Sequence, residues 1–308
     1  MVKSKKIYKN FNINTRYKNS IILIGNFDGV HKGHQKLFLL AKKYKKKYSS
    51  KIGVLTFEPM PKMFFNKNLD NFRISSLKQK INYLKDLNVD FLILKKFDRK
   101  FSKIKSITFI KEILGKKLKP KFIFVSNNFK FGNNREGNVE QLIKFETQCG
   151  YKIVNPQPLL ANKKVASSSL IRDFLQKGKL EIANKILNRN WSINGKVQKG
   201  KQLGKKIGFP TANIDIKDYV LACPGVYAVR VKKPGKNIYL KGIANLGYRP
   251  TFSGKKILLE VHLFNFSGNL YNKYLTVEFK KFIRKEKKFK NIDQLRKQIK
   301  TDLLIAKK

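Results

Sequence analysis

Several things are scarce in this sequence. Cysteine occurs twice in 308 residues, as Cys149 and Cys223 in unrelated contexts. Two such residues imply neither a disulfide framework nor a metal site, and a reducing, cytoplasmic setting is expected. Long apolar runs are missing: none approaches the roughly 18–20 residues that a membrane span needs. The opening MVKSKKIYKNFNIN has no apolar stretch behind its lysines, so no secretory signal is expected there. Acidic residues number 19 against 69 Lys and Arg, a formal net charge of +50. Histidine is scarcer still, with three, and two of these stand close together.

So large a charge first points to nucleic acid, because Lys and Arg neutralise phosphates and release counterions. The balance within it points away. Ten of the basic residues are arginines and the rest are lysines spread over the whole chain. Dedicated nucleic-acid surfaces lean on the bidentate fork of arginine. The accompanying excess of Asn, Ile and Phe is the mark of an AT-rich coding sequence. Such a surface attracts anions, RNA and ATP included, without selecting among them. No specific nucleic-acid partner and no membrane partner is expected, and the sequence does not encode an oligomeric state that can be read off it.

A chain of this length is long for one hydrophobic core, and its texture changes part-way. Up to about residue 156, apolar strand-like runs (IILIG at 21–25, KIGVLTF at 51–57, DFLILKKF at 90–97, KFIFV at 121–125, YKIVNP at 151–156) alternate with helical patterns. Those helices are expected near 33–47, 77–87, 106–114 and 138–149. This alternation predicts a parallel sheet covered by helices, which binds ligands at the carboxyl ends of its strands. Helices at about 167–176 and 180–187 follow. From Trp191 onward, short β-rich runs separated by Gly and Pro predict a small antiparallel sandwich or barrel. A final helix is expected to carry Ile292, Leu295, Ile299 and Leu303 on one face. The expected domains are 1–189 and 190–308.

Two places carry chemistry. The first is GNFDGVHKGH (25–34), a glycine-rich loop between a buried strand and a helix. Such a position presents unpaired backbone N–H groups and the positive end of a helix dipole, which suits phosphate. His31 and His34, three residues apart, can face one ligand and donate to charge that develops on a breaking triphosphate. Gly25, Gly29 and Gly33 allow tight turns and close backbone approach. The second lies in the β-rich half. The Gly204–Gly208 stretch can close over phosphates, and Thr211 and Asn213 present neutral oxygens on one face of an extended segment. In ILLEVHL, Glu260 shares a strand face with Leu258 and His262, and a carboxylate in an apolar strand is costly unless partnered or functional.

The sequence resembles the HxGH nucleotidyltransferases, in the form found in bacterial bifunctional riboflavin kinase/FAD synthetases. The resemblance rests on GxFDGxHxGH and continues through nearly the whole chain from Ile21. Its further segments are TFEPMP (56–61), VSNNFKFG (125–132), SSSLIRDFL (167–175), GKKIGFPTAN (204–213), GVYAVRV (225–231), ANLGYRPTF (244–252), LEVHLFNF (259–266) and RKEKKF (284–289). Against the family pattern, Met60 replaces a His, Ser126 and Asn128 replace the Gly and Asp of GxDF, and Lys205 replaces an Arg. Asn188 and Asn190 stand where the family has a Gly-Arg-Pro run.

The resemblance implies a Rossmann-like adenylyltransferase domain followed by a riboflavin kinase β-barrel with a terminal helix. It implies that riboflavin and ATP give FMN at the barrel, and that FMN and ATP give FAD at the sheet. By the same resemblance His31 and His34 bind the ATP phosphates and stabilise the transition state, with Gly25, Phe27, Asp28 and Gly33 in the same nucleotide loop. Ser168 and Arg172 contact phosphates from the far side, and Asn128 and Phe129 lie near the flavin or the adenine. In the kinase, Gly204, Lys205 and Gly208 cover the ATP phosphates, Thr211 and Asn213 bind Mg²⁺, and Glu260 is the base acting on the ribityl hydroxyl. His262 is expected to be structural, and Arg284 and Glu286 to shape the barrel rim. The competing readings are the same fold with only one active module, and a basic RNA-binding protein built on this fold.

Overall fold

Ile21, Ile22, Leu23 and Ile24 are all buried, and their alternating side chains go to opposite faces. Ile21 and Leu23 join one hydrophobic cluster and Ile22 and Ile24 another. A strand apolar on both faces needs cover on both, as in a parallel α/β sheet. The computed structural model has that arrangement. It describes residues 6–307 apart from 67, 70, 162, 201–203, 205–206, 217, 233–237 and 252–253. The chain divides into two compact units, one of residues 1–69 and 80–166, the other of residues 70–79 and 167–308.

The first unit holds a six-stranded sheet of β1 (Lys6–Tyr8), β2 (Ile21–Ile24), β3 (Ile52–Glu58), β4 (Phe91–Lys96), β5 (Phe122–Phe124) and β6 (Lys152–Val154). Its order is β1-β4-β3-β2-β5-β6, with every neighbouring pair parallel. Successive connections carry the chain outward from β2 to β3 to β4, then back across to β5 on the other side of β2. The order therefore reverses between β2 and β5, and open α/β sheets form their ligand crevice outside the carboxyl ends of such strands. The helix Lys32–Tyr48 packs on the sheet through Leu37, Phe38 and Ala41, with roughly 1.5–3 kcal/mol gained for each large apolar side chain fully buried. Three details differ from the sequence expectation. β1 is an added edge strand; the helix expected at 106–114 continues to Leu118 with π-type winding from Phe109; and 138–149 is two short helices divided at Phe145. A small hairpin, β7 (Leu160–Ala161) with β8 (Lys164–Val165), follows the sheet.

The second unit is a closed antiparallel barrel of β9 (Ser192–Gln198), β10 (Ala212–Asp215), β11 (Gly225–Lys232), β12 (Tyr239–Thr251), β13 (Gly254–Leu263) and β14 (Tyr274–Lys285). Its order around the barrel is β10-β13-β12-β11-β14-β9. Helices Ser168–Gln176 and Leu180–Leu187 belong to this unit, as does the short segment 70–79. That segment is tied in by Trp191, whose Nε1–H donates to the Ile74 carbonyl at 2.9 Å, and by Gln79, whose Nε2 donates to Ser192 Oγ at 2.9 Å. Asn188 ends the second helix at φ 60°, a left-handed position that Asn tolerates nearly as well as Gly.

The final helix expected from the sequence spans Ile292–Lys307 and is anchored by a polar residue. Ile292 is 58% exposed, Leu295, Ile299 and Leu303 are only half-buried, and the buried residue is Asp302. Asp302 receives the Arg284 guanidinium of β14 through Nε at 3.0 Å and Nη2 at 2.7 Å, and Gln298 Nε2 donates to the same carboxylate at 2.9 Å. A bidentate pair this enclosed fixes the helix in direction as well as in place. Removing one member of a buried pair leaves the other charge uncompensated. Asp302→Ala is accordingly expected to destabilise this unit by about 3–5 kcal/mol, read as a lowered denaturation midpoint in urea.

Candidate active sites

The first site forms at the carboxyl ends of β2 and β5. Gly25 continues the ladder from β2, its N–H donating to Leu55 O at 3.1 Å. The chain then turns through Phe27 at φ 50°, Gly29 at φ 75° and Val30 at φ 39°. Left-handed backbone at a phenylalanine and a valine costs on the order of 1 kcal/mol or more each, and such strain persists only where the surroundings over-determine it. Here they do: Phe27, Asp28, Val30 and His31 are all buried. The Phe27 ring packs on His34 at 5.2 Å between centroids and on Phe38 at 5.4 Å.

His31 caps the helix Lys32–Tyr48, its Nδ1 accepting from the Gly33 N–H at 3.1 Å. A ring nitrogen that accepts carries no proton, so the proton of the neutral ring sits on Nε2 and that atom is a donor. The His34 ring lies against it with centroids 3.7 Å apart and planes 24° apart. Two imidazoles thus stand stacked at a helix N-terminus. Gly33 makes the packing possible: a Cβ there would stand 3.0 Å from Ala166 O and 3.0 Å from His31 Cε1.

On the neighbouring strand, the turn after β5 carries Asn128 and Phe129. Ser126 Oγ donates to Asn128 Oδ1 at 2.9 Å, and Phe129 stacks on Phe131 at 5.5 Å. The strand order therefore brings the nucleotide loop and the Ser126–Phe129 segment to adjacent carboxyl ends, although about a hundred residues separate them. An aromatic group missed in the sequence joins them at the ends of β3 and β4. Phe97 contacts Phe57, Phe64 and Phe65 at 6.0, 5.3 and 5.8 Å, and Phe65 is 68% exposed. Met60 is buried at the start of the short helix Pro61–Phe65. Ser168 and Arg172 fall in the second unit. Ser167, not Ser168, caps their helix through Leu170 N–H, and Arg172 Nε donates to Phe72 O at 2.8 Å with its guanidinium 3.7 Å above the Phe72 ring.

The second site is a cavity of about 370 Å³ in the barrel unit. Asn213, Glu260 and Asn245 are register partners across β10, β13 and β12, so their side chains form one row. All three line the cavity, as do Thr211, Leu295 and Ile299. Leu295 and Ile299 of the final helix thus face the cavity, which is why they are only half-buried. Asn245 escaped the sequence reading, since one Asn in ANLG carries no pattern of its own. The Asn213 side chain is 93% enclosed (7% exposed), yet its Oδ1 has no hydrogen-bond partner among the described residues. A buried carbonyl oxygen without a partner costs about 1–3 kcal/mol, so it is poised for a donor or a cation.

Gly204 forms the roof of this site. Phe209 N–H donates back to Gly204 O at 2.8 Å, and a Cβ on Gly204 would meet Phe209 O at 2.4 Å. Gly208 stands at φ 89° in the same turn, and Lys205 lies outside the described residues. His262 Nδ1 is 2.9 Å from Pro210 O, which ties the segment before Thr211 to β13. Arg284 and Glu286 also line the cavity, Arg284 engaged with Asp302. Among the described residues there is no group of three or more His, Cys, Asp or Glu able to hold a metal. The oxygens of Thr211 and Asn213 are instead neutral donors of the kind Mg²⁺ accepts beside phosphate.

Comparison with known proteins finds two family models along the chain. The FAD synthetase family model matches residues 13–170 and the riboflavin kinase family model matches residues 187–308. A bifunctional riboflavin kinase/FMN adenylyltransferase of Buchnera aphidicola from Schizaphis graminum is 40% identical, over 94% of each chain. The chain belongs to the bifunctional riboflavin kinase/FMN adenylyltransferase family. Other members include that of Escherichia coli K12, 37% identical over 93% of this chain and 91% of that one, and that of Haemophilus influenzae, 38% identical over 96% of each. A crystal structure titled macrolide-efflux protein from Streptococcus pneumoniae has the same fold, with a TM-score of 0.86 and 28% identity over 98% of each chain. Among the described residues no helix is long and apolar enough to cross a membrane. This member of the family is an enzyme of flavin cofactor biosynthesis, with an FAD synthetase domain and a riboflavin kinase domain.

The tight fit at Gly33 yields a direct expectation. Gly33→Ala pushes a methyl group against the His31 ring and the Ala166 carbonyl, so FAD formation should fall about 100-fold, the scale of a misplaced catalytic group. FMN formation should be unaffected, and chromatographic assay of both products checks it.

Proposed function

We propose that both sites are active in this chain and that they act in sequence on one flavin. The ribityl 5′-hydroxyl of riboflavin attacks the γ-phosphorus of ATP in the barrel cavity, releasing ADP and leaving FMN. A phosphate oxygen of FMN then attacks the α-phosphorus of a second ATP at the sheet, releasing pyrophosphate and leaving FAD. The observation that carries this reading is the pair of intact, separately built sites: stacked imidazoles on a helix N-terminus in one unit, a carboxylate in a polar row within an apolar cavity in the other.

At the sheet, the backbone from Gly25 through Phe27 and Asp28 to Gly33 cradles the triphosphate. His31, donating from Nε2, and His34 stabilise the negative charge that grows on the α-phosphate and departing pyrophosphate. Asn128 and Phe129 meet the flavin or the adenine, and the exposed edge of the Phe64, Phe65 and Phe97 group offers further faces for a flat ring system.

In the barrel, Glu260 takes the proton from the ribityl hydroxyl as its oxygen attacks, so it must be ionised beforehand. Gly204, Lys205 and Gly208 close over the ATP phosphates. Thr211 and Asn213 would hold Mg²⁺, which when bound would supply positive charge against the phosphates. The unpartnered Asn213 Oδ1 supports that role. The partners in this reading are small molecules and the setting is the cytoplasm.

Riboflavin, ATP and Mg²⁺ incubated with the protein should give FMN and then FAD. His34→Ala is expected to lower FAD formation by about 10²–10³-fold, as for loss of one transition-state donor, with FMN accumulating. Glu260→Gln should lower FMN formation by about 10²–10⁴-fold, as for loss of a general base, while added FMN is still converted to FAD. A wild type that makes one product and not the other would show a single working module.

A further inference from the structure

Among the described lysines one is unlike the rest. Lys80 is 2% exposed, and its ammonium lies within the first unit instead of in solvent. Burying a cation costs several kcal/mol unless acceptors compensate it. Its acceptors come from one place in the fold. Nζ is 3.4 Å from Asn26 O, 3.4 Å from Thr56 Oγ1, 3.5 Å from Phe57 O and 3.8 Å from the Glu58 carboxylate. All four stand at the carboxyl ends of β2 and β3, beneath the nucleotide loop. Thr56 Oγ1 also donates to Asn26 O, at 3.3 Å. Two donors from below therefore converge on a single carbonyl, that of the residue just before Phe27.

That carbonyl is where the loop leaves extended geometry. Phe27 takes φ 50° and turns its ring onto His34. Turning the Asn26 carbonyl away would release Phe27, and with it the packing that sets the stacked imidazoles. A polar group could be supplied to this carbonyl at far lower desolvation cost by a neutral side chain. An ammonium adds a positive charge under a loop that receives a polyanion, in surroundings of low dielectric, with the Glu58 carboxylate at 3.8 Å as its counterion.

We propose that Lys80 is a positioning residue for adenylyl transfer, whose buried ammonium pins the Asn26 carbonyl and so holds the loop that presents His31 and His34 to ATP. It acts through the loop and does not touch the reacting atoms. The inference rests on the reading of this loop as the adenylyl-transfer site.

The test uses the full chain, with FAD formation from added FMN and ATP, FMN formation from riboflavin and ATP, and thermal melting measured on each variant. Lys80→Met is expected to lower kcat for FAD formation about 10- to 100-fold, the range for a displaced catalytic group, with a smaller change in KM for ATP. Riboflavin phosphorylation by the same sample should stay at the wild-type rate. Lys80→Arg, which keeps the charge, should restore part of the loss. Thr56→Val, which removes the second donor and tests the same carbonyl if Lys80→Met does not fold, should shift kcat in the same direction by less. A folded Lys80→Met with wild-type kcat would overturn the proposal, as would losses that merely follow the folded fraction of each variant. Absence of FAD formation by the wild type would instead overturn the adenylyl-transfer reading itself.

Discussion

The Gly33 N–H that donates to His31 Nδ1 does three things at once. It satisfies one of the backbone donors left open at the start of a helix. It fixes the imidazole plane, so that His34 can stack on it at 3.7 Å. It also assigns the neutral ring's proton to Nε2, leaving a donor on a residue at a helix N-terminus, which favours anions. Everything else around the loop serves that arrangement. The buried β2 anchors its start, Gly33 leaves room for the ring beside Ala166, and the strained Phe27 and Val30 are held by burial. Lys80 and Thr56 secure the one carbonyl where the strain begins.

The barrel solves a related problem with different parts. A sheet crevice is open by construction and brings its ligand groups together from separate loops. The barrel instead encloses a row of polar side chains, Asn213, Glu260 and Asn245, on adjacent antiparallel strands. The final helix adds an apolar wall of Leu295 and Ile299 and is held in place by the Arg284–Asp302 pair. The Glu260 carboxylate thus shares its cavity with a surface fit for an apolar ring. Gly204, Phe209 and Thr211 line the same cavity.

What could be read from the sequence follows from where the information resides. Strands such as Ile21–Ile24 announce themselves because both faces are buried, and His31 and His34 stand out because the chain has so few histidines. β1 does not announce itself: Lys6–Tyr8 is three residues long, begins with an exposed lysine and depends on pairing with the distant β4. The apolar spacing of the final helix announces the helix but not its anchor, because that residue is an aspartate whose partner lies on β14. Lys80 is invisible for a related reason. Burial of one lysine among so many is a property of the packed fold and leaves no trace in local pattern. The aromatic group around Phe97 and the row through Asn245 likewise exist only once strands far apart in sequence become neighbours.

The most direct measurement is a long-range ¹H–¹⁵N correlation spectrum of the imidazole rings, which three histidines make simple to assign. The account predicts that at neutral pH His31 is the Nε2–H tautomer with an unprotonated, hydrogen-bonded Nδ1. It also predicts that ATP shifts the Nε2 signals of both His31 and His34. A His31 protonated on Nδ1, or rings of His31 and His34 that do not respond to ATP in a protein that makes FAD, would contradict it.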